Sequence, residues 1–271
     1  PDGYRRLGDL LESDAPASAV RLDRQETYAG ILPRREAGVR AWLTVMRGCD
    51  RFCTFCVVPF VRGRERSLPL DVLRTELGHI AAGGFREVVL LGQTVNSWRH
   101  GEHGFGDLLR MACSIEGIER VRYTSPHPSD FDDDALAAMR DCPKLSPYVH
   151  LPLQSGSDRI LQALQRGHTV DEYRRLVDRL RAAVPDLALS TDIIVGFPGE
   201  TEDDFARTLE VASAAEFDYA YTFLFSPRPG TEAAEMHEQF VDPAVASERF
   251  ARLRVVIERS ALAKQIGRAH V

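Results

Sequence analysis

No apolar run approaches the roughly 20 residues that a membrane-spanning helix needs; the apolar pieces are short, such as Val88-Val89-Leu90-Leu91. The polar stretch Pro1–Arg6 is not followed by the apolar segment of a secretory signal. An excess of positive charge is also missing: 34 Lys and Arg stand against 40 Asp and Glu, a formal charge of −6. That excludes binding to a polyanion through bulk electrostatics and requires a local basic face or a separate module for any nucleic-acid partner. Nor is there a disulfide framework, because the five cysteines are odd in number and Cys49, Cys53 and Cys56 crowd into one short stretch. The expectation is a reduced, cytoplasmic chain with a metal or cluster site. Internal repeats and low-complexity tracts are lacking too. What remains is an ordinary globular composition, 271 residues with 44% hydrophobic and 27% charged, enough to bury a sizeable core.

The pattern along the chain predicts alternating strands and helices. Residues 1–38, rich in proline and charge, read as a linker with one short helix at Tyr4–Leu11. Strands are expected at Val39–Met46, Glu87–Leu91, Arg120–Thr124, Tyr148–Leu153, Leu187–Val195 and Tyr219–Phe225. Between them come helices: Pro69 to Gly83-Gly84, Gly106–Ile115, Asp132–Asp141, Asp158–Gln165, Thr169–Ala183 and Thr201–Ala214. A last amphipathic helix runs from Asp242-Pro243 to about Gln265. Short buried strands separated by helices make a parallel sheet, either open and doubly wound or curled into a partial (β/α)6 barrel. Both fold types gather ligands at the carboxyl ends of their strands. The cysteines and nearly all the Gly-, Pro- and Ser-rich loops follow directly after predicted strands.

Cys49-x3-Cys53-x2-Cys56 is the sharpest chemical signal. Structural zinc takes four ligands, and no fourth Cys or His lies near in sequence. Three thiolates on a [4Fe–4S] cube would leave one iron open to a small chelating ligand. A zinc loop with a distant fourth ligand, or three buried structural cysteines, are the other readings of the same spacing.

The arrangement Cys-x3-Cys-x-Phe55-Cys resembles the signature of the radical S-adenosylmethionine (SAM) enzymes. The flanking words Arg47–Phe60 and Arg62–Ser67 resemble the methylthiotransferase subfamily. Leu90–Ser97, Thr124–Pro128, His150–Ser157 and Asp192–Thr201 resemble most its branch acting on N6-isopentenyladenosine of tRNA. The likeness runs from about Tyr28 to the C-terminus. It implies a partial (β/α)6 TIM-type barrel with a C-terminal helix, holding a [4Fe–4S] cluster on Cys49, Cys53 and Cys56. In the family the open iron binds SAM, whose reductive cleavage yields a 5′-deoxyadenosyl radical. The reaction adds a methylthio group at C2 of the adenosine beside the anticodon. Related branches act on threonylcarbamoyladenosine of tRNA or on a ribosomal-protein aspartate; a non-catalytic Fe–S or zinc module that binds RNA is the alternative of another kind.

The same resemblance places SAM near Phe55, Gly92, Gln93, Ser125, Gln154, Ser155, Arg166, Asp192 and Gly196. Gln93 stands where many relatives have a glutamate, so its carbonyl would accept from the SAM ammonium without charge assistance. Each residue also has a plainer reading: Ser155 or Ser157 as a helix cap, Arg166 as a cation at a helix end, His150 as a satisfied core histidine. Asp192, inside an apolar strand, needs a partner in any case. His127 is offered on a stiff Ser-Pro-His-Pro loop. Arg62, Arg64, Arg66 and Arg228 either reach RNA phosphates or, for Arg64 and Arg66, pair with Glu65 and other acids. Cys113 and Cys142 read as small buried hydrophobes. The expected organisation is a linker over 1–38 from an N-terminal domain bearing a second [4Fe–4S] cluster, a radical SAM core over 39–240, and a helix over 241–271 leading to an RNA-binding domain. Expected partners are the tRNA anticodon loop and an electron donor such as flavodoxin or ferredoxin, without a membrane.

Overall fold

A computed structural model describes residues 2–12, 22–31 and 33–268, with side chains up to residue 264. In chain order the elements are α1 (Leu7–Leu11), β1 (Arg40–Thr44), β2 (Met46–Arg47), α2 (Val58–Arg62), β3 (Arg66–Ser67), α3 (Leu70–Ala82), β4 (Glu87–Leu91), α4 (Phe105–Ser114), β5 (Arg120–Tyr123) and α5 (Asp133–Asp141). There follow β6 (Tyr148–His150), α6 (Asp158–Ala163), α7 (Val170–Ala183), β7 (Ala188–Val195), α8 (Glu202–Ala215), β8 (Tyr219–Leu224) and α9 (Pro243–Arg268).

Helix starts follow local chemistry. Thr169 and Glu172 form a reciprocal capping box at α7, the Glu172 N–H donating to Thr169 Oγ1 at 3.2 Å and the Thr169 N–H to Glu172 Oε2 at 2.8 Å. Thr201 and Asp204 do the same for α8, and Asp132 accepts from the Ala135 N–H at 2.8 Å to start α5. Strands β1, β4 and β5 pair in parallel, with Arg40 opposite Glu87 and Glu87 opposite Arg120. Strands β6, β7 and β8 form a second parallel set. Backbone bonds from Val121 to Lys144 and from Ser146 to Val121 join the two sets at β5. Six parallel strands with outer helices thus make a partial barrel. Leu43, Val88, Leu90 and Val121 face the helices and are buried. The alternate residues Trp42, Tyr219 and Tyr221 face the open interior and stay about half exposed.

One expected strand is divided. The run expected over Val39–Met46 leaves the barrel at Val45, whose N–H still donates to Leu91 O while its carbonyl accepts from the Leu68 N–H. Met46–Arg47 then pairs antiparallel with Arg66–Ser67. This small ribbon, together with α2, swings the intervening cysteine loop over the barrel mouth.

A cysteine-lined cavity at the carboxyl end of the barrel

The loop that carries the cysteines is tightly held. Gly48 has φ +78°, and a Cβ there would sit 2.0 Å from Arg64 O, so only glycine permits the close crossing of the two ribbon arms. The Gly48 N–H donates to Gln93 Oε1 at 2.7 Å and the Cys49 N–H to Gly63 O at 3.1 Å. On the far side, Thr54 Oγ1 donates to Ala163 O at 2.9 Å and Ala233 N–H to Thr54 O at 2.9 Å. The loop therefore spans the mouth from β4 to α6, anchored at both ends.

Cys49, Cys53 and Cys56 all line one cavity of about 430 Å³, together with Phe55, Gly92, Gln93, Ser125, His127, His150, Gln154, Arg166 and Asp192. Burial pushes the Cys49 and Cys56 thiols up. Each sulfur nevertheless has a polar partner: Thr94 Oγ1 at 3.1 Å, where either group can donate, and the Arg51 N–H at 3.4 Å for Cys49, Arg166 Nη1 at 3.4 Å for Cys53, and the Val58 N–H for Cys56. Among the described residues no three His, Cys, Asp or Glu side chains converge on the position of a single ion. A cube of four irons spreads its thiolates over separate corners, whereas one zinc ion draws its ligands to a point. Three thiols around a shared cavity suit the cube.

Two buried polar atoms in the cavity wall lack partners among the described residues. His127 accepts the Ser129 N–H on Nδ1 at 3.2 Å, so its proton sits on Nε2, which meets no acceptor. Burial and the neighbouring arginines keep this imidazole neutral by depressing its pKa. Arg166, only 6% exposed, has an unpaired Nε. Such orphaned donors point to a ligand with acceptor groups.

Asp192 finds its partner in His150. Its Oδ2 lies 3.2 Å from His150 Nε2, His150 Nδ1 lies 2.9 Å from Ser190 Oγ, and the Tyr148 hydroxyl lies 2.7 Å from the same oxygen. Tyr148 donating to Ser190, Ser190 to Nδ1 and Nε2–H to Asp192 is a consistent order for a neutral imidazole. The chain leaves the carboxylate facing the cavity. His150 is hydrogen-bonded, as the plainer reading holds, but it lines the cavity rather than the core. Beneath Phe55, a smaller space of about 210 Å³ shares Phe55, Gln154 and Asp192 and adds Ile194, Phe223 and Phe225.

Two sequence candidates lie behind the wall. Ser155 is fully buried and sits 3.4 Å from Thr208 Oγ1, accepting the Ser157 N–H at 3.2 Å. Ser157 precedes α6 without a capping hydrogen bond and instead donates to Asp204 at 2.6 Å. The Gly196 N–H donates to Glu200 Oε2 at 2.9 Å, and Glu200 pairs with Arg249 at 3.0 Å, tying that loop to α9. Gln93 lines the cavity, with its carbonyl engaged by Gly48. Of the rim arginines, Arg64 pairs with Asp50 at 2.5 Å and buried Arg66 with Asp2 at 2.8 Å, so their acids are not Glu65. Cys113 and Cys142 pack partly buried against the core. Sequence reasoning missed Asn96, which clamps His127 by donating to its carbonyl at 2.9 Å and accepting its N–H at 2.7 Å. A buried Asn beside a Pro-flanked loop carries no motif that would announce this.

Comparison with known proteins agrees with this geometry. The profile of the Radical SAM superfamily matches residues 43–212. A protein of Cereibacter sphaeroides is 47% identical over 275 aligned positions, covering 99% of this chain and 63% of its own length. One of Paracoccus denitrificans is 50% identical, with 98% and 61% covered, and one of Acidothermus cellulolyticus 50% identical, with 90% and 50% covered. All three are named tRNA-2-methylthio-N(6)-dimethylallyladenosine synthase. The chain thus spans between half and just under two thirds of these relatives' length. In fold it resembles the radical SAM methyltransferase TsrM of Kitasatospora setae, solved with cobalamin and a [4Fe–4S] cluster, at TM-score 0.62 and 18% identity over 75% of this chain and 42% of that one. It also resembles coproporphyrinogen III oxidase of Escherichia coli, at TM-score 0.60 and 15% identity over 82% and 52%.

Proposed function

The chain belongs to the radical SAM superfamily, and from that premise we propose that it is the catalytic core of a tRNA methylthiotransferase. Its reaction adds a methylthio group to C2 of N6-isopentenyladenosine next to the anticodon. The observation that carries the reading is the gathering of Cys49, Cys53 and Cys56 on one cavity that also presents orphaned donors and an oriented carboxylate. The choice of tRNA substrate is supported by relatives about half identical to this chain.

Cys49, Cys53 and Cys56 would hold a [4Fe–4S] cluster in the cavity they line. Cluster and SAM together supply one-electron cleavage of a carbon–sulfur bond. The protein aims that chemistry. Arg166 brings positive charge against Cys53 and offers its free Nε to the SAM carboxylate. Gln154 and Asp192, the latter turned outward by His150, accept from the ribose hydroxyls. Phe55, Ile194 and Phe225 wall the smaller space against water and suit the adenine. The His127 Nε2–H is left to donate to a nucleotide acceptor. Gly92 and Ser125 shape the strand ends around the ligand. Ser155 and Gly196 act on the walls only.

The substrate base is unstacked cheaply because it lies in an RNA loop. Cys113 and Cys142, the other two cysteines of the sequence, are too few to hold a second cluster, so the proposal assigns them no cluster role. An electron donor such as flavodoxin or ferredoxin and a cytoplasmic location complete the reading. Among the described residues no helix is long and apolar enough to cross a membrane.

The test is anaerobic reconstitution with iron and sulfide, then dithionite and SAM. The expected result is 5′-deoxyadenosine from this segment alone, without methylthiolated tRNA. A colourless protein with stoichiometric zinc, or no cleavage of SAM, overturns the proposal. Nucleoside mass spectrometry of a strain lacking the gene distinguishes isopentenyladenosine from threonylcarbamoyladenosine as substrate.

A further inference from the structure

The donors on the three sulfurs differ in kind. Cys56 has a backbone N–H, and Cys53 has the guanidinium of Arg166. Cys49 has two partners, the Arg51 N–H of its own loop, which donates, and the Thr94 hydroxyl, which arrives from the loop after β4. Thr94 is 2% exposed, and Cys49 Sγ, at 3.1 Å, is its hydroxyl's partner among the described residues. Its backbone is fixed as well. The Ser97 N–H and hydroxyl both donate to Thr94 O, at 2.9 and 2.8 Å, and the next residue's N–H donates to Ser125 O at 3.2 Å.

Between a thiol and a hydroxyl either group can donate. Once Cys49 is an iron-bound thiolate it has no proton to give, so the bond persists only with Thr94 as donor. A hydrogen bond onto a cluster sulfur favours the more negatively charged, reduced cluster and so raises its potential.

We propose that Thr94 is a positioning residue that orients Cys49 and sets the reduction potential of the cluster; this rests on reading the three cysteines as its ligands. The step concerned is the uptake of one electron from dithionite or a low-potential carrier protein, with no bond made or broken. Arg51 cannot substitute, because its N–H belongs to the cysteine loop and moves with it. Thr94 is the side chain that ties Cys49 to the barrel.

The test uses the whole chain, reconstituted anaerobically, with iron content measured and the cluster midpoint read by an EPR-monitored redox titration. Thr94→Val keeps the shape and removes the donor; the expected result is wild-type iron content and a midpoint shifted to lower potential. Thr94→Ser keeps the hydroxyl, and its midpoint stays at the wild-type value. A Thr94→Val midpoint equal to wild type, or a Thr94→Ser midpoint that falls as far as Thr94→Val, overturns the proposal. Should Thr94→Val take up less iron, Thr94→Ala is read by the same criterion. A wild-type chain that takes up no iron–sulfur cluster overturns the underlying reading instead, so the two failures are distinguishable.

Discussion

The loop after β2 and the loop after β7 look alike in sequence, since each opens on a glycine, Gly48 or Gly196, and carries an acidic residue, Asp50 or Glu200. In the structure they do opposite things. The first, held by Gln93, Gly63 and Ala163, turns its thiols toward the cavity. The second turns its charge inward: Glu200 is buried, braces Gly196 and pairs with Arg249 of α9. A loop's position at the ligand end of a barrel therefore places its backbone near the site. Contacts with distant elements, Gln93 and α6 for the first loop and α9 for the second, decide which way its side chains face.

The largest expected contrast comes from replacing a thiol of the first loop and the helix residue that pairs with the second. On the proposed reading Cys53→Ala removes a cluster ligand, so 5′-deoxyadenosine formation should fall to background with loss of cluster absorbance. Arg249→Ala leaves a buried carboxylate without its partner, and chemical denaturation should show a loss of about 3–5 kcal/mol. Iron content per folded molecule should stay unchanged. If Arg249→Ala also emptied the cluster site at unchanged stability, the two loops would not be separable.

The turn after α6 sharpens the comparison, because it contains both behaviours two residues apart. Arg166 faces Cys53, whereas His168 is buried against Tyr173 and His127. Burial pulls the His168 pKa down to about 4, while an unfolded imidazole titrates near ~6.5. Between those values the unfolded chain binds more protons, so stability is full above about pH 7 and is lost as pH falls toward 4. The expected loss is up to ~3 kcal/mol, with neutral His127 acting in the same direction. Urea denaturation at pH 7 and pH 5 measures it, and His168→Gln should flatten the slope. Equal wild-type stability at the two values would contradict a neutral buried imidazole.

The smallest expected effect separates cavity from wall within one pair. Asp192→Asn should weaken SAM binding about tenfold, roughly 1.4 kcal/mol, in a calorimetric titration of the reconstituted protein. Ser155→Ala should leave binding unchanged and cost about 1 kcal/mol of stability through its lost hydrogen bonds. The reverse pattern would place Ser155, not Asp192, at the ligand.

Much of this was legible in advance where the signal is local. Glu87–Leu91 is a strand because an apolar run lies between a Gly-Gly stop and a Gly turn, and α7 starts at Thr169 because the capping box needs only four residues. The three cysteines were readable because spacing alone confines them to one loop. The split of the first strand at Val45 was not, since its cause is a carbonyl bonded to Leu68, more than twenty residues on. The same distance hid the roles of Asn96 and Glu200, whose partners sit on other elements.

Local composition and periodicity thus determined the order of strands and helices, the end of the barrel that bears the site, and the cysteines at its centre, because these depend on neighbours within a few turns of chain. Tertiary structure alone decided that Asp192 is oriented by His150, that Arg166 and Thr94 meet sulfur, and that Ser155 and Gly196 stand behind the wall. Those outcomes depend on side chains that approach only when distant strands and helices close around the same space.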